Sequence, residues 1–236
     1  MRVVVTRPED RAQATAAKLR ALGHQPLLLP LSKARHLTGH AAAMLSRRYP
    51  AIAITSAEAL RAADKNDLAP HLSTPLLAVG RKTAEAASAF GFTDIRIAAG
   101  NGAALAQLIS EHPSFADLLY LTGRPRSSIF EDALKALSIS YSVLECYEMI
   151  PLQPPPETTA AALQPQADAI LFHSRETARL FFDLTTVHEN LPAMTPRLIA
   201  CLSERVAEIV PAGLHDRIRI AERPDEANLI GLLSPS

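Results

Sequence analysis

The sequence predicts an α/β protein of two similar lobes, each built on a doubly wound parallel sheet. Short continuous apolar runs alternate with helical patterns along the 236 residues, as is typical of parallel strands that helices bury on both faces. The chain also repeats itself at about half its length. Residues 134–138 echo 19–23 at an offset of 115, and 174–176 echo 56–58 at an offset of 118. Offsets this similar indicate a duplication, which predicts two lobes.

Ten apolar runs predict the strands, and five strands per lobe is the number in a flavodoxin-like sheet. The predicted strands are 3–6, 26–31, 51–55, 76–79, 95–98, 118–122, 140–146, 169–173, 197–202 and 217–221. Helix starts are marked by Pro8 at a first-turn position and by Ser56 and Ser174 at N-cap positions. Gly23 and Gly91 mark helix ends.

The order of the copies leaves two domain organisations open. Segments 1–31 and 117–147 are copies of one strand–helix–strand unit, and 51–98 and 168–221 are copies of another. Tandem lobes would join the first segment to 51–98, with a boundary near 112–114. Nested lobes would join it to 168–221 and enclose the other two segments as an insertion.

A proline-rich stretch favours the nested organisation. Residues 151–156 contain three consecutive prolines, which form a stiff extended spacer. They fall inside a tandem lobe, where no boundary is expected. The predicted domains are therefore lobe one at 1–33 and 152–236 and lobe two at 38–147, joined by a two-stranded linker near 32–37 and 148–156.

Composition excludes several classes of function. The formal net charge is zero, aromatic residues make up 5% and tryptophan is absent, so we expect no nucleic-acid partner. No apolar leader precedes the first strand, and no apolar run approaches the ~20 residues of a membrane helix. We therefore expect a cytoplasmic protein without membrane contact. Cys146 and Cys201 lie in apolar runs, which favours buried free thiols over a disulfide or a metal pair.

The chemistry-bearing residues gather where predicted strands end and helices begin. The glycine-rich phosphate-binding motifs, a histidine pair with metal spacing and a nucleophile elbow are all missing from the sequence. In doubly wound sheets, ligands bind at the carboxyl ends of the strands, where helix N-termini attract anions and arginine offers a fork for carboxylates. The candidate anion-binding residues are Arg7, Thr55, Ser56, Gly80, Arg81, Lys82, Thr83, Gly123, Arg124, Ser174, Arg175, Ser203, Glu204 and Arg205.

Each candidate also has a purely structural interpretation. Serine and threonine at a helix start are commonly N-caps, and Arg7 is equally consistent with an ordinary surface residue. Caps alone do not require such sites to recur in both lobes, so the recurrence predicts a ligand with several negative charges. Tyr147 ends a predicted strand just before the linker. A strand tyrosine is often core filler, but its hydroxyl is one of few candidate proton donors there.

In their order and spacing, these motifs resemble the bacterial type of the uroporphyrinogen-III synthase family over essentially the full chain. The segments that carry the resemblance are VVVTRP at 3–8, ITS at 54–56, AVGRKTA at 78–84, LTGR at 121–124, YE at 147–148 and SERVA at 203–207. The resemblance implies two flavodoxin-like lobes in the nested arrangement. It also implies a lyase of haem biosynthesis without cofactor or metal. The substrate would be hydroxymethylbilane, a linear tetrapyrrole with eight carboxylates, whose ring closes while the last pyrrole is inverted.

The resemblance also implies residue roles. Residues Thr55, Ser56, Gly80–Thr83, Ser174 and Ser203–Arg205 would meet carboxylates, and the family binds its tetrapyrrole largely through backbone amides. Tyr147 matches the tyrosine that assists departure of the hydroxyl, before an azafulvene cation and a spiro intermediate form. We further expect a monomer that makes transient contact with the upstream bilane-forming enzyme.

Two positions depart from the family pattern, and two other classes of protein stay open. Residues 203–207 lack the Gly and Thr of a Gly-x-x-Thr-Ala motif, and His173 stands where a small hydroxyl residue often precedes the serine. A two-lobed binding module for a small polyanion, without catalysis, fits the lobes equally well. A regulatory domain of response-regulator type would need an acidic cluster with a phosphoryl-accepting aspartate at the strand ends, and the sequence shows none.

Overall fold

The computed structural model describes residues 1–37, 41–165, 167–189 and 191–234, and the chain divides into two compact units. Unit 1 contains Met1–Lys33 and Ile150–Ser236, and unit 2 contains Ala34–Met149. The first residue predicted for lobe two, Thr38, lies outside the described residues. Both units are built on parallel sheets, which confirms the predicted α/β class.

The secondary structure alternates strands and helices, as the apolar runs predict. The strands are β1 (Arg2–Val5), β2 (Gln25–Leu28), β3 (Ser32–His36), β4 (Ile52–Ile54), β5 (Leu76–Ala78), β6 (Ile95–Ile97), β7 (Leu118–Arg124), β8 (Tyr141–Pro151), β9 (Ala169–Phe172), β10 (Leu198–Cys201) and β11 (Ile218–Ile220). The helices are α1 (Glu9–Ala21), α2 (Ala41–Leu45), α3 (Ala57–Ala62), α4 (Lys65–Leu68), α5 (Arg81–Phe90), α6 (Gly102–Ser110), α7 (Ile129–Ala136), α8 (Pro156–Leu163), α9 (Arg175–Phe182), α10 (Thr185–His188), α11 (Leu191–Met194), α12 (Glu204–Ala207) and α13 (Glu226–Gly231).

In unit 1 the described strands form a parallel sheet with the order β11-β10-β9-β1-β2. If the five strands of this unit are numbered 1 to 5 in chain order and the sheet is read from β2, the order is 2-1-3-4-5. This is the order of a flavodoxin-like sheet. Strand β1 pairs directly with β9, with Val4 opposite Ile170. The unit is thus assembled from the two ends of the chain.

Side chains alternate between the two faces of this sheet and build a core on each. Val4 and Ile170 face helices α8, α9 and α12, where Phe181 is fully buried. Val5 faces the other side and packs with α1 and α13, where Leu229 is fully buried. Each fully buried aliphatic side chain stabilises the fold by about 1.5–3 kcal/mol. Burial on both faces explains why the strands read as continuous apolar runs.

In unit 2 the described strands have the order β3-β8-β7-β4-β5-β6. The pairs β7–β8, β7–β4, β4–β5 and β5–β6 are parallel. If β7 and β8 are numbered 1 and 2, and β4, β5 and β6 are numbered 3, 4 and 5, the run β8-β7-β4-β5-β6 again has the order 2-1-3-4-5. Strands β7 and β8 therefore hold in unit 2 the places that β1 and β2 hold in unit 1.

Segments that the sequence predicted as linkers are partly strands. Residues 32–36 form β3 and residues 148–151 end β8, and the two strands are neighbours in the sheet order. Sequence patterns missed β3 because its Ser-Lys-Ala-Arg-His run contains charges instead of apolar residues, a composition that suits an edge strand. Strand β7 also continues through Arg124, two residues beyond its predicted end.

Candidate functional site

The hydroxyls that follow β4 are held in place by the protein. The Oγ1 of Thr55 lies 2.8 Å from the Tyr120 hydroxyl of β7, within hydrogen-bond distance. Ser56 caps α3, since its Oγ accepts a hydrogen bond from the backbone N–H of Glu58 at 3.2 Å. The capping role that the sequence left open for Ser56 is therefore present at this edge of the sheet.

Gly80 begins the helix that follows β5, and it has no side chain to cap the first turn of α5. Such a helix start offers backbone N–H groups and partial positive charge to an anion. Arg81 and Lys82 in that first turn are exposed, whereas Thr83 is buried. The start of α5 thus combines two exposed cationic side chains with a ten-residue helix, which favours binding of a carboxylate.

Tyr147 lies on β8 directly opposite Gly123 of β7. A Cβ atom built on Gly123 would lie 2.3 Å from the Cζ atom of Tyr147, so the ring rests on the glycine backbone. The ring is half-buried and packs on the apolar cluster of unit 2. The predicted strand ends at residue 122, but β7 continues to Arg124 and α7 begins only at Ile129.

Carboxylates of the same sheet engage Arg124. Its Nε donates a hydrogen bond to Glu148 at 2.8 Å, and its Nη1 donates one to Glu145 at 3.3 Å. Arg35 on β3 forms an ion pair with Glu148 from the other side. The hydrogen bond from Arg124 and the charges of both arginines lower the pKa of Glu148, although desolvation opposes them. The exposed Arg124 side chain therefore already has protein carboxylates as partners.

Arg7 is engaged in the same way in unit 1. Its Nη1 lies 2.8 Å from Glu226 Oε1 in the first turn of α13 and 3.2 Å from Thr15 Oγ1 on α1. Thr15 donates a hydrogen bond to Glu226 at 2.6 Å, and Lys18 forms an ion pair with it. Burial disfavours the charged carboxylate. Hydrogen bonds from Lys18 and Thr15 and the charge of Arg7 outweigh burial and lower the pKa of Glu226 to about 2.

His173 follows β9 beside this ion-pair cluster. It stands two residues after Leu171, so it continues the face of the sheet that α1 and α13 cover. Neither ring nitrogen has a hydrogen-bond partner in the described part of the chain, and both are buried. Burial, with a smaller contribution from the positive charge of Arg7, lowers the pKa of His173 to about 3. The imidazole is therefore neutral at pH 7.

Ser174 starts α9 as an N-cap. Its Oγ accepts a hydrogen bond from the backbone N–H of Thr177 at 3.2 Å and also contacts the Thr177 hydroxyl. The next residue, Arg175, is exposed and lies 3.9 Å from Glu208. At this distance and exposure, the ion pair contributes little to stability.

Ser203 stands at the corresponding start of α12, but its side chain makes no capping hydrogen bond. Glu204 and Arg205, in the first turn, are both exposed. The missing Gly and Thr of the family motif therefore leave a serine hydroxyl, a carboxylate and a guanidinium here. The Ser203 hydroxyl differs from that of Ser174 in having no role in capping its helix.

Most of the predicted residues lie at the carboxyl edge of a sheet. Thr55 and Gly80 follow strands of unit 2, and Arg7, Ser174 and Ser203 follow the adjacent strands β1, β9 and β10 of unit 1. The prediction that Tyr147 ends its strand was wrong, because β8 continues to Pro151. Sequence reasoning missed the partners Glu226, Glu148 and Tyr120, since their contacts join distant segments without a local pattern.

Among the described residues, no group of three or more histidine, cysteine, aspartate or glutamate side chains could hold a metal ion. No helix in those same ranges is long and apolar enough to cross a membrane. The carboxyl edges of the two sheets carry hydroxyl groups, helix N-termini and arginine side chains. The fold and these edges together define an α/β protein with two parallel-sheet units suited to an anionic ligand.

Comparison with known proteins narrows this class. A family model described as uroporphyrinogen-III synthase HemD matches residues 13–231. The chain belongs to this family of lyases of haem biosynthesis. No curated protein sequence matches the chain significantly.

Two solved structures show the same fold. Uroporphyrinogen-III synthetase from Helicobacter pylori aligns with a TM-score of 0.66 at 14% identity, covering 98% of each chain. A mutant uroporphyrinogen III synthase from the extremely thermophilic bacterium Thermus thermophilus aligns with a TM-score of 0.58 at 18% identity, covering 98% of this chain and 97% of that one. At these identities the likeness concerns the fold alone.

Proposed function

We propose that this protein converts hydroxymethylbilane to uroporphyrinogen III, with loss of water and inversion of the terminal pyrrole ring. The match of the HemD family model to residues 13–231 is the observation on which the proposal depends. The chemistry of the strand ends supports it independently, because they suit a ligand that carries many carboxylates.

Two of the candidate arginines are open to such a ligand. Arg81 and Arg205 are exposed and form no ion pair with the described residues. Arg7 and Arg124 instead hold protein carboxylates at 2.8 Å. Substrate carboxylates would therefore be met first at the starts of α5 and α12, by these two guanidinium groups and by backbone N–H groups.

The other candidates supply polar groups around these two helix starts. In this proposal the hydroxyls of Thr55 and Ser56, and those of Ser174 and Ser203, orient single carboxylates. The remaining contacts come from Lys82, Thr83, Gly123, Arg124, Arg175 and Glu204. Such contacts hold the chain of pyrroles in one conformation, and holding reacting groups in attack geometry supplies about 7–11 kcal/mol of a barrier.

The reaction begins when the carbon–oxygen bond of the hydroxymethyl group breaks. The Tyr147 phenol donates a hydrogen bond to the leaving oxygen, which departs as water after taking up a proton. The resulting azafulvene cation is attacked by the terminal pyrrole to give the spiro intermediate, which fragments and closes with that ring inverted. The proton taken up at the start is returned when the last pyrrole regains aromaticity. A positioned acid contributes about 10²–10⁴-fold, so conformational control is the larger effect.

The proposal also covers the lobe boundaries, the oligomeric state and the cellular location of the protein. Lobe one would comprise 1–33 and 152–236 and lobe two 38–147, with linkers near 32–37 and 148–156. Division of the chain into two compact units, with the crossings at 33–34 and 149–150, supports these boundaries. The protein would act as a monomer in the cytoplasm and take its labile substrate from the enzyme that forms the bilane.

The test is consumption of substrate above the spontaneous rate. Hydroxymethylbilane is generated enzymatically, and its disappearance is followed with and without this protein at several protein concentrations. A synthase accelerates the loss in proportion to its concentration and turns over many equivalents. A binding module for polyanions would instead protect one equivalent of the bilane, and that result would refute the proposal.

A further inference from the structure

Backbone conformation does not explain why residue 123 is a glycine. The φ of Gly123 lies outside the left-handed region, unlike that of Gly91 at +123°. Backbone of this conformation is accessible to residues with a side chain, so the reason for a glycine must lie in its surroundings.

The explanation is steric and involves one aromatic ring. A Cβ atom on Gly123 would lie 2.3 Å from Cζ, 2.4 Å from Cε2 and 2.6 Å from Cε1 of Tyr147. Real Cβ contacts essentially never fall below 3.0 Å. These three atoms form the hydroxyl-bearing end of the ring. Any side chain at residue 123 would therefore displace that end of Tyr147.

A β-bulge brings the two residues together. Thr122 pairs with Glu145, but the next pair is Gly123 with Tyr147, so Cys146 is skipped. The skipped residue and Tyr147 consequently both pack on the apolar cluster of unit 2. Bulges commonly re-aim a side chain beside an active site, and this one turns Tyr147 onto the glycine.

The residue that follows Tyr147 is held by side-chain contacts with both neighbouring strands. Glu148, the following residue, accepts hydrogen bonds from Arg124 of β7 and forms an ion pair with Arg35 of β3. Strand β8 is thus bound to both of its neighbours where it presents the tyrosine. The ring therefore rests on the glycine backbone beside a residue that is held on both sides.

We propose that Gly123 is a positioning residue for Tyr147, because it seats the phenol ring on β7 and so sets the position of its hydroxyl. The role of that hydroxyl rests on the proposed function, whereas the seating of the ring does not. Gly123 would thereby act through the tyrosine, in addition to any contact of its backbone with substrate.

A spectroscopic test examines the seating alone. The Gly123 Hα proton that occupies the Cβ position should be shifted upfield, because it lies against an aromatic ring; Gly231, which has no neighbour within 4 Å of its Cβ position, should show no such ring-current shift. Tyr147→Ala should remove the upfield shift, while Tyr147→Phe should keep it. Gly123 Hα resonances that do not move in Tyr147→Ala would overturn the proposal, whether or not the protein is a synthase.

A double-mutant cycle tests the effect on catalysis. Gly123→Ala should lower kcat about tenfold with KM changed less than about twofold, and it should change kcat less than about twofold in a Tyr147→Phe background. The matched control, Gly231→Ala, should leave kcat unchanged. Equal losses from Gly123→Ala in both backgrounds would overturn the proposal. Wild-type protein that forms no type III isomer would instead refute the proposed function.

Stability provides the readout if Gly123→Ala folds poorly. Tyr147→Ala removes the ring that the new methyl group meets, so Gly123→Ala should lower the urea midpoint less in a Tyr147→Ala background than in the wild-type protein. An equal loss of stability from Gly123→Ala with and without the Tyr147 ring would show that no steric contact links the two residues.

Discussion

The guanidinium of Arg7 lies 2.8 Å from the carboxylate of Glu226, 219 residues further along the chain. Through this contact the end of β1 is tied to the first turn of α13, and Thr15 and Lys18 tie α1 to the same carboxylate. The arginine that the sequence proposed as a substrate ligand therefore has a structural role in unit 1.

Replacing Glu226 by glutamine should destabilise the protein by about 1–3 kcal/mol at pH 7, since hydrogen bonds to a charged group are lost. The native pKa of about 2 lies below the ordinary value of 4.5. Stability from this group is therefore fully present above pH 4.5 and is lost as the pH falls toward 2. Urea denaturation at pH 7, 4 and 3 measures both effects. Exposed Glu222 provides the control in Glu222→Gln. Equal pH dependence in wild type and Glu226→Gln would contradict the prediction.

His173 should make the protein sensitive to milder acid. Its native pKa of about 3 lies below the ordinary 6.5, with Arg7, Arg11, Lys18 and Glu226 as the charged neighbours. The unfolded chain therefore binds a proton at this residue before the native protein does. Its contribution to stability is fully present above pH 6.5 and is lost as the pH falls toward 3.

The variant His173→Leu tests this directly. The unfolding free energy should fall less between pH 6.5 and 4.5 than in wild type, a range above that in which Glu226 titrates. At pH 7 the variant should be as stable as wild type or about 1 kcal/mol more stable, because two unpaired buried nitrogens are removed. An unchanged slope would show that His173 is not buried in its neutral form.

Substitution of Ser174 and of Ser203 by alanine should distinguish the effect of helix capping on stability from the effect of ligand binding on KM. Ser174→Ala removes a cap and should cost about 1 kcal/mol of stability, whereas Ser203→Ala removes no cap and should cost less than about 0.5 kcal/mol. Both variants should raise KM if each hydroxyl orients a carboxylate. Thermal unfolding and steady-state kinetics measure the two effects. A Ser203→Ala variant as unstable as Ser174→Ala would refute the assigned difference.

Arg81 should contribute to substrate affinity. Arg81→Ala should raise KM about threefold to tenfold with little change in kcat, as expected for about 1 kcal/mol of lost charge interaction. The effect should shrink as salt screens the wild-type interaction. Exposed Arg20 in the last turn of α1 provides the matched control, Arg20→Ala. If both variants have the same KM, the start of α5 is not where substrate carboxylates bind.

Tyr147→Phe should lower kcat about tenfold to a hundredfold without abolishing turnover, below or at the low end of the contribution of a positioned acid. The ring stays on Gly123, and only the hydroxyl is lost. Single-turnover measurements with enzymatically supplied substrate test this. Complete loss of turnover in a folded Tyr147→Phe protein would show that proton donation, and not conformational control, governs the reaction.

The parts of the fold with local patterns could be read from the sequence. Every predicted strand is present, because residues such as Ile170 and Leu171 must be apolar on both faces of a covered sheet. The caps Ser56 and Ser174 were also readable, since a cap is a contact with the next few residues.

Contacts between distant segments could not be read in this way. No local sequence pattern near Arg7 identifies Glu226 as its partner. An alternation of apolar and polar residues likewise cannot show the β-bulge that places Tyr147 on Gly123. Strand β3 was missed for a related reason, because pairing with a neighbouring strand, and not apolar character, makes it a strand.

The decisive measurement is the isomer ratio of the product. Hydroxymethylbilane, supplied by its forming enzyme, cyclises spontaneously to the type I isomer, whereas a synthase that inverts the last pyrrole yields type III. With this protein in excess, we predict that the type III isomer predominates. Formation of the type I isomer alone, at the spontaneous rate, would contradict the assignment of this chain as an active synthase.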